Sequence, residues 1–68
     1  NMIIREAIRA NRGDPEAQYN LATMYRDGAY GLPQNYAAAV KWYEKSADQG
    51  HEGSRKNLDS FMLGMADS

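Results

Sequence analysis

Asp14-Pro15-Glu16-Ala17-Gln18-Tyr19-Asn20-Leu21 opens a stretch that continues through Trp42-Tyr43 to Gly50 and reads as one complete helix–turn–helix unit. Asp14 can accept from free amides at a helix start, Pro15 suits the first helical position, and Glu16 complements the positive helix end. Ala17, Leu21, Met24 and Tyr25 follow at helical spacing and mark an apolar face. Gly28 stops this helix, with Arg26 in its last turn. Gly28 to Gln34 is a Gly/Pro-punctuated loop whose one aliphatic residue, Leu32, is expected to plug the gap between the helices. Asn35 then caps a second helix. Its expected buried stripe is Tyr36, Ala39, Val40, Tyr43 and Ala47, with Lys41, Glu44, Lys45 and Asp48 toward water and Gly50 as the stop.

The flanks echo parts of the same unit. Ile4, Ala7 and Ile8 share one face of a helix before Gly13, with Arg5, Arg9 and Arg12 on the other side. This basic stripe reads as a solvated face. After Gly50 a further helix runs from about Glu52 toward Gly64 with Leu58, Phe61, Met62 and Met65 apolar. A shift of 37 positions superposes Ala10 on Ala47, Gly13 on Gly50, Asn20 on Asn57, Leu21 on Leu58 and Ile3 on Val40. The order is half a repeat, one whole repeat and half a repeat. The expected fold is all-α: a short α-solenoid of antiparallel helical hairpins, a single domain over 2–66 with helices near 2–12, 15–27, 35–49 and 52–64. Asn1, ahead of Met2, reads as a cloning remnant.

Composition bounds what such a chain can do. Sixty-eight residues without cysteine give a core that rarely supplies more than about 3–5 kcal/mol without a staple or a neighbour. A net charge of −1 with both signs dispersed argues against nucleic acid or an anionic membrane surface as partner. No apolar run approaches the roughly 20 residues needed to cross a bilayer. The start lacks the apolar segment of a secretory signal, so a cytoplasmic location is expected. No residue cluster has metal or nucleophile spacing, and the glycines form no phosphate-binding loop. No cofactor and no enzyme activity are therefore expected. The lone His51 reads as an exposed first-turn residue. Tyr36, Trp42 and Tyr43 read as packing rather than as an aromatic cage.

Ala17-Gln18-Tyr19-Asn20-Leu21, then Tyr25, Gly28, Gly31-Leu32-Pro33-Gln34-Asn35-Tyr36, Ala39-Val40, Trp42-Tyr43, Ala47 and Gly50 together resemble the Sel1-like repeat, a relative of the tetratricopeptide repeat. The resemblance is close over residues 13–50 and partial on both flanks. Three features depart from the family pattern. Ala22 stands where a glycine is usual, Tyr30 looks like a one-residue loop insertion, and Gly53 and Ser54 weaken the second copy. The resemblance implies small alanines at close helix contacts (Ala17, Ala39, Ala47), Leu21 and Tyr25 filling the hairpin, and Trp42 and Tyr43 covering the junction between hairpins. It also implies a protein-interaction role, with the first helix of each hairpin lining a concave face. The matching non-core residues are Glu16, Tyr19, Thr23 and Arg26, and in the last helix Lys56, Ser60 and Leu63. A protein or peptide, docked as a strand of chain or a helix across both rows, is the expected partner. Some Sel1-like proteins are associated with β-lactam hydrolysis, but those resemble disulfide-rich arrays, and this chain has no cysteine.

Solenoid ends need covering. Ile4, Ile8, Phe61, Met62 and Met65 are the residues expected to associate with a second copy as a homodimer or swapped pair, or else to dock on another protein. The alternative role is a small modulator that self-associates or blocks a partner's surface. Whether Met62 and Met65 are core or surface stays open at this level.

Overall fold

A computed structural model describes the backbone of residues 2–66 and the side chains of residues 2–63. Four helices follow one another: α1 (Met2–Asn11), α2 (Pro15–Asp27), α3 (Tyr36–Asp48) and α4 (Glu52–Ala66), with a 3-10 turn at Ala29–Gly31. There is no strand among the described residues. Each boundary has a local cause. Asp14 Oδ1 accepts from the amides of Glu16 and Ala17 at 3.0 and 3.4 Å, and Asn35 Oδ1 accepts from Ala38 N at 3.0 Å. Gly28 takes the left-handed conformation (φ 67°) and sends its amide back to the Met24 carbonyl. A Cβ there would meet the Leu32 carbonyl oxygen at 3.3 Å, so the turn needs glycine for both backbone and space.

The connections are short, and neighbouring helices pack in chain order, α2 most extensively on α3. Hydrogen bonds fix their direction. Asn35 N donates to the Tyr25 carbonyl at 2.8 Å at one end of the α2–α3 pair. Ser46 Oγ donates to the Pro15 carbonyl at 2.7 Å at the other, so α2 and α3 are antiparallel. Gln18, buried near the start of α2, donates to the Ala10 carbonyl and accepts from Gln49, tying the ends of α1 and α3 to one point.

Two apolar clusters follow from this arrangement. Ala10, Ala17, Leu21 and Met24 form the first, with Leu32 and Trp42 packed against it. Ala22, Ala39, Tyr43 and Leu58 form the second, with Tyr25, Val40, Trp42 and Phe61 alongside. Leu32 thus plugs the hairpin as expected, and Trp42 touches both clusters while Lys45 Nζ sits 5.0 Å over its ring.

Tyr36 departs from its expected place in the buried stripe. It is 52% exposed, because at the first turn of α3 its ring meets the edge of Phe61, with centroids 5.6 Å apart, and its hydroxyl accepts from Gln34 Nε2 at 3.1 Å rather than entering the core. Gly53 and Ser54, which depart from the repeat pattern, both sit at close contacts. Ser54 is fully buried, and a Cβ on Gly53 would press on His51 Cε1 at 3.2 Å and Tyr19 Cε1 at 3.4 Å. The inserted Tyr30 is the one described non-glycine residue with positive φ (56°), and its side chain is exposed.

Candidate interaction surface

α2 and α4 both pack on α3, run in the same direction and are joined by two polar contacts, one just before α4 and one in its first half. Near their starts, His51 Nε2 is 2.8 Å from Glu16 Oε2. Further along, Arg26 Nη1 donates to Asn57 Oδ1 at 2.7 Å. His51 is not the exposed residue that its position suggests. Its Nδ1 accepts from the Ser54 amide at 3.1 Å, capping α4. Since Nδ1 is then an acceptor, Nε2 carries the proton toward Glu16. Its ring also stacks 4.9 Å from Tyr19. His51 stands 37 positions after Asp14 and caps the same amide of its helix, three residues on.

The row foreseen on α2 is brought together, yet most of it is engaged within the chain. Tyr19 is half-buried between His51 and Tyr43, whose ring centroid is 5.8 Å away. Thr23 Oγ1 lies 2.7 Å from the Tyr43 hydroxyl and 3.0 Å from the Tyr19 carbonyl. Its single proton goes to that carbonyl, so Tyr43 donates to Thr23. Burial pushes the Tyr43 hydroxyl above its ordinary pKa, although the Thr23 contact pulls the other way. Arg26 Nε and Nη2 grip the two oxygens of Asp27 at 3.0 and 3.3 Å. That contact raises the Arg26 pKa, outweighing desolvation, and the same hydrogen bond holds Asp27 below the usual carboxylate range. Glu16 is exposed, as are Lys56 and Ser60 on α4. Ser60 borders a depression of about 170 Å³ with Arg26, Asn57 and Phe61.

The residues foreseen for self-association divide. Ile4, Ile8 and Met62 are exposed at 60, 47 and 53%. Phe61 is half-buried against Tyr36 and Tyr43, and the Met65 side chain lies outside the described residues. Arg5, Arg9 and Arg12 of the basic stripe are exposed, as expected, and Arg9 also pairs with Asp14 at 2.9 Å and approaches Glu6 at 3.7 Å. Among the described residues no group of His, Asp or Glu could hold a metal ion, and no helix is long and apolar enough to cross a membrane.

Sequence reasoning passed over Glu6 and Asn20. Glu6 is buried on α1 and accepts from Asn20 Nδ2 at 3.1 Å. The 37-residue register held the signal, since it places Glu6 where Tyr43 stands and Asn20 where Asn57 stands.

Comparison with known families decides the kinship, because the Sel1 repeat matches residues 15–51, more than half of the chain. The chain belongs to the Sel1-repeat family. It is 44% identical over 45 residues to a putative sel1-like repeat-containing protein, L18, of Acanthamoeba polyphaga mimivirus, a match covering 66% of this chain and 8% of that protein. It is 35% identical over 51 residues to the DAP3-binding cell death enhancer 1 of Rattus norvegicus, covering 75% of this chain and 10% of that protein. The Sel1-repeat chain thus spans only a small part of the length of these relatives. No solved structure matches it. Sel1 repeats are in general protein–protein interaction modules.

Proposed function

We propose that this Sel1-repeat chain is a non-enzymatic adaptor module that binds a peptide or helix along the neighbouring rows of α2 and α4. The observation that carries this reading is the pair of bridges Glu16–His51 and Arg26–Asn57, which hold those helices parallel and line Lys56 and Ser60 up beside the α2 row. Exposed Glu16, Lys56 and Ser60 supply charge and hydrogen bonds, and the edge of Tyr19 supplies aromatic area, a residue type enriched at binding hot spots. This row is the proposed concave face of a longer array of repeats. The cytoplasm, where such an adaptor needs no disulfide, is its proposed location. The printed name of the rat relative describes that protein as DAP3-binding. A protein ligand for the present chain agrees in kind with that.

The test uses residues that hold nothing else in place. Lys56→Glu combined with Ser60→Arg should leave the circular dichroism melt unchanged and remove partners captured from the native host, while Lys41→Glu on exposed α3 should keep them. If the paired variant retains every partner, the row is not the binding surface.

A second reading is a modulator that self-associates, favoured by the exposure of Ile4, Ile8, Met62 and Leu63 at opposite ends of the chain. Sedimentation across micromolar concentrations separates the two. A concentration-independent monomer removes the homodimer.

A further inference from the structure

The outer side of α1 breaks with its counterpart on α3. Ile4 and Ile8 lie one turn apart and are exposed, while Glu6 and Ala10 are buried on the opposite side of the helix. Arg5 and Arg12, also exposed, flank the two isoleucines. Arg12 follows the last residue of α1, but its amide still donates to the Ile8 carbonyl at 3.1 Å, so the same helical turn carries it. Displaced by 37 positions, Ile4 and Ile8 become Lys41 and Lys45. Both lysines stay exposed on α3 although α2 and α4 both pack on that helix. The helices that flank a repeat therefore leave these two positions outward, and on α1 they are apolar. The Arg5 and Arg12 side chains make no hydrogen bond or ion pair with another described residue. The carboxylates nearest to them in sequence are already engaged. Glu6 is buried and accepts from Asn20, and Asp14 accepts from Arg9 and from the first amides of α2.

We infer that the outer face of α1 docks an acidic amphipathic helix of another protein. Two apolar residues of that helix, one turn apart, lie on Ile4 and Ile8, and carboxylates beside them face the free guanidiniums of Arg5 and Arg12. Charge complementarity selects this occupant. A second copy of this chain lacks it. Its own α1 would set arginine against arginine, and the exposed residues of α3 and α4 mix both signs, with Lys41, Glu44, Lys45 and Asp48 on one and Glu52, Arg55, Lys56 and Asp59 on the other. Two isoleucines also offer too little apolar area for a helix that lies in a membrane surface. This face is separate from the α2–α4 row of the proposed adaptor function. Its test leaves Lys56 and Ser60 untouched, so the two can fail separately.

The probe is a stapled, alanine-based helical peptide with two leucines one turn apart and glutamates along the edge beside them, its helicity checked by circular dichroism. Titrated into the isotopically labelled chain at low salt, it should bind saturably and move the amide signals of Ile4, Arg5, Ile8 and Arg12. The same peptide with glutamine at every glutamate should bind about threefold or more weakly. Ile4→Lys combined with Ile8→Lys installs the residues that α3 carries in the same register. It should leave the thermal melt unchanged and weaken binding about tenfold or more. Arg5→Glu combined with Arg12→Glu should reverse the preference, so that a lysine version of the peptide binds in place of the glutamate one. No saturable binding, equal affinity of the glutamine peptide, unchanged affinity of the double lysine variant, or signal changes confined to α2 and α4 would each overturn the assignment. So would dimerisation of the chain alone that the double lysine variant abolishes, which would make a second copy the occupant. Tighter binding of a mixed-sequence oligonucleotide through the same amides would make it a nucleic-acid surface instead.

Discussion

The two halves of the chain use one register and reach different ends. Between α3 and α4 a helix is seated, Tyr43 and Ser46 are sealed, and each buried hydroxyl has a partner. Between α1 and α2 the corresponding residues are Glu6 and Arg9. One is buried and bonded to Asn20, and the other is half-exposed and paired with Asp14. The repeat therefore fixes where helices start, stop and touch, while the residues at the contact decide what else can enter. A carboxylate stands where the other half has a phenol, and it takes its partners from Asn20 and Arg9 rather than from a packed ring.

The sharpest way to break this comparison is through its matched leucines. Leu21→Ala should cost about 2–5 kcal/mol, as much as the whole domain is expected to hold. Loss of the cooperative thermal transition would show it. Leu58→Ala, at the less enclosed end of the core, should cost less and leave a measurable transition. Tyr43→Phe tests the hydroxyl that distinguishes the halves. It removes the donor to Thr23 and should lower urea-derived stability by about 1 kcal/mol, whereas Glu6→Gln keeps an acceptor for Asn20 and should change much less.

The caps come next. Asp14→Ala should increase hydrogen exchange at the start of α2, and His51→Ala at the start of α4, each leaving the other junction protected. Asp14 also sets an acid limit. Desolvation opposes its ionisation, but hydrogen bonds from the Ala17 amide, from Arg9 and from the Glu16 amide outweigh this and hold the carboxyl below its ordinary value. The unfolded chain then takes up protons more readily, so the stabilisation is present above the usual carboxylate range near about 4 and drains away as pH falls through the folded value. Asp14→Asn should flatten that acid limb in a pH series of thermal melts. The smallest effect belongs to Tyr30. Tyr30→Gly relieves a left-handed conformation at some entropic cost and should gain about 0.5 kcal/mol, read from the melting midpoint.

Much of this architecture was legible in local chemistry. Asp14, Asn35 and the glycines at 13, 28 and 50 act within a few residues of themselves, and Ala17, Leu21, Met24 and Tyr43 follow helical spacing into the core. What escaped depends on partners far along the chain. His51 reads as a lone surface imidazole until Glu16 and Tyr19 are placed beside it. Glu6 reads as a solvent residue until Asn20 meets it. Tyr36 has the spacing of a core residue, but its contacts are the edge of Phe61 and the Gln34 amide. The proposed binding row was the hardest to read for the same reason. Tyr19, Thr23 and Arg26 look free on a single helix and are tied down once α3 and α4 arrive.

The connection between α2 and α3 spends its second part on the helix it leaves. Gln34 Nε2 donates to the Arg26 carbonyl at 2.8 Å and Asn35 N to the Tyr25 carbonyl. Added residues there would strip the last α2 carbonyls of their donors. In Ala29–Gly31, Ala29 packs on the first apolar cluster while the inserted Tyr30 is accommodated with its side chain outside the core. Arrays built from such units can change stride at that one place, by a residue at a time, without altering how one helix pair meets the next.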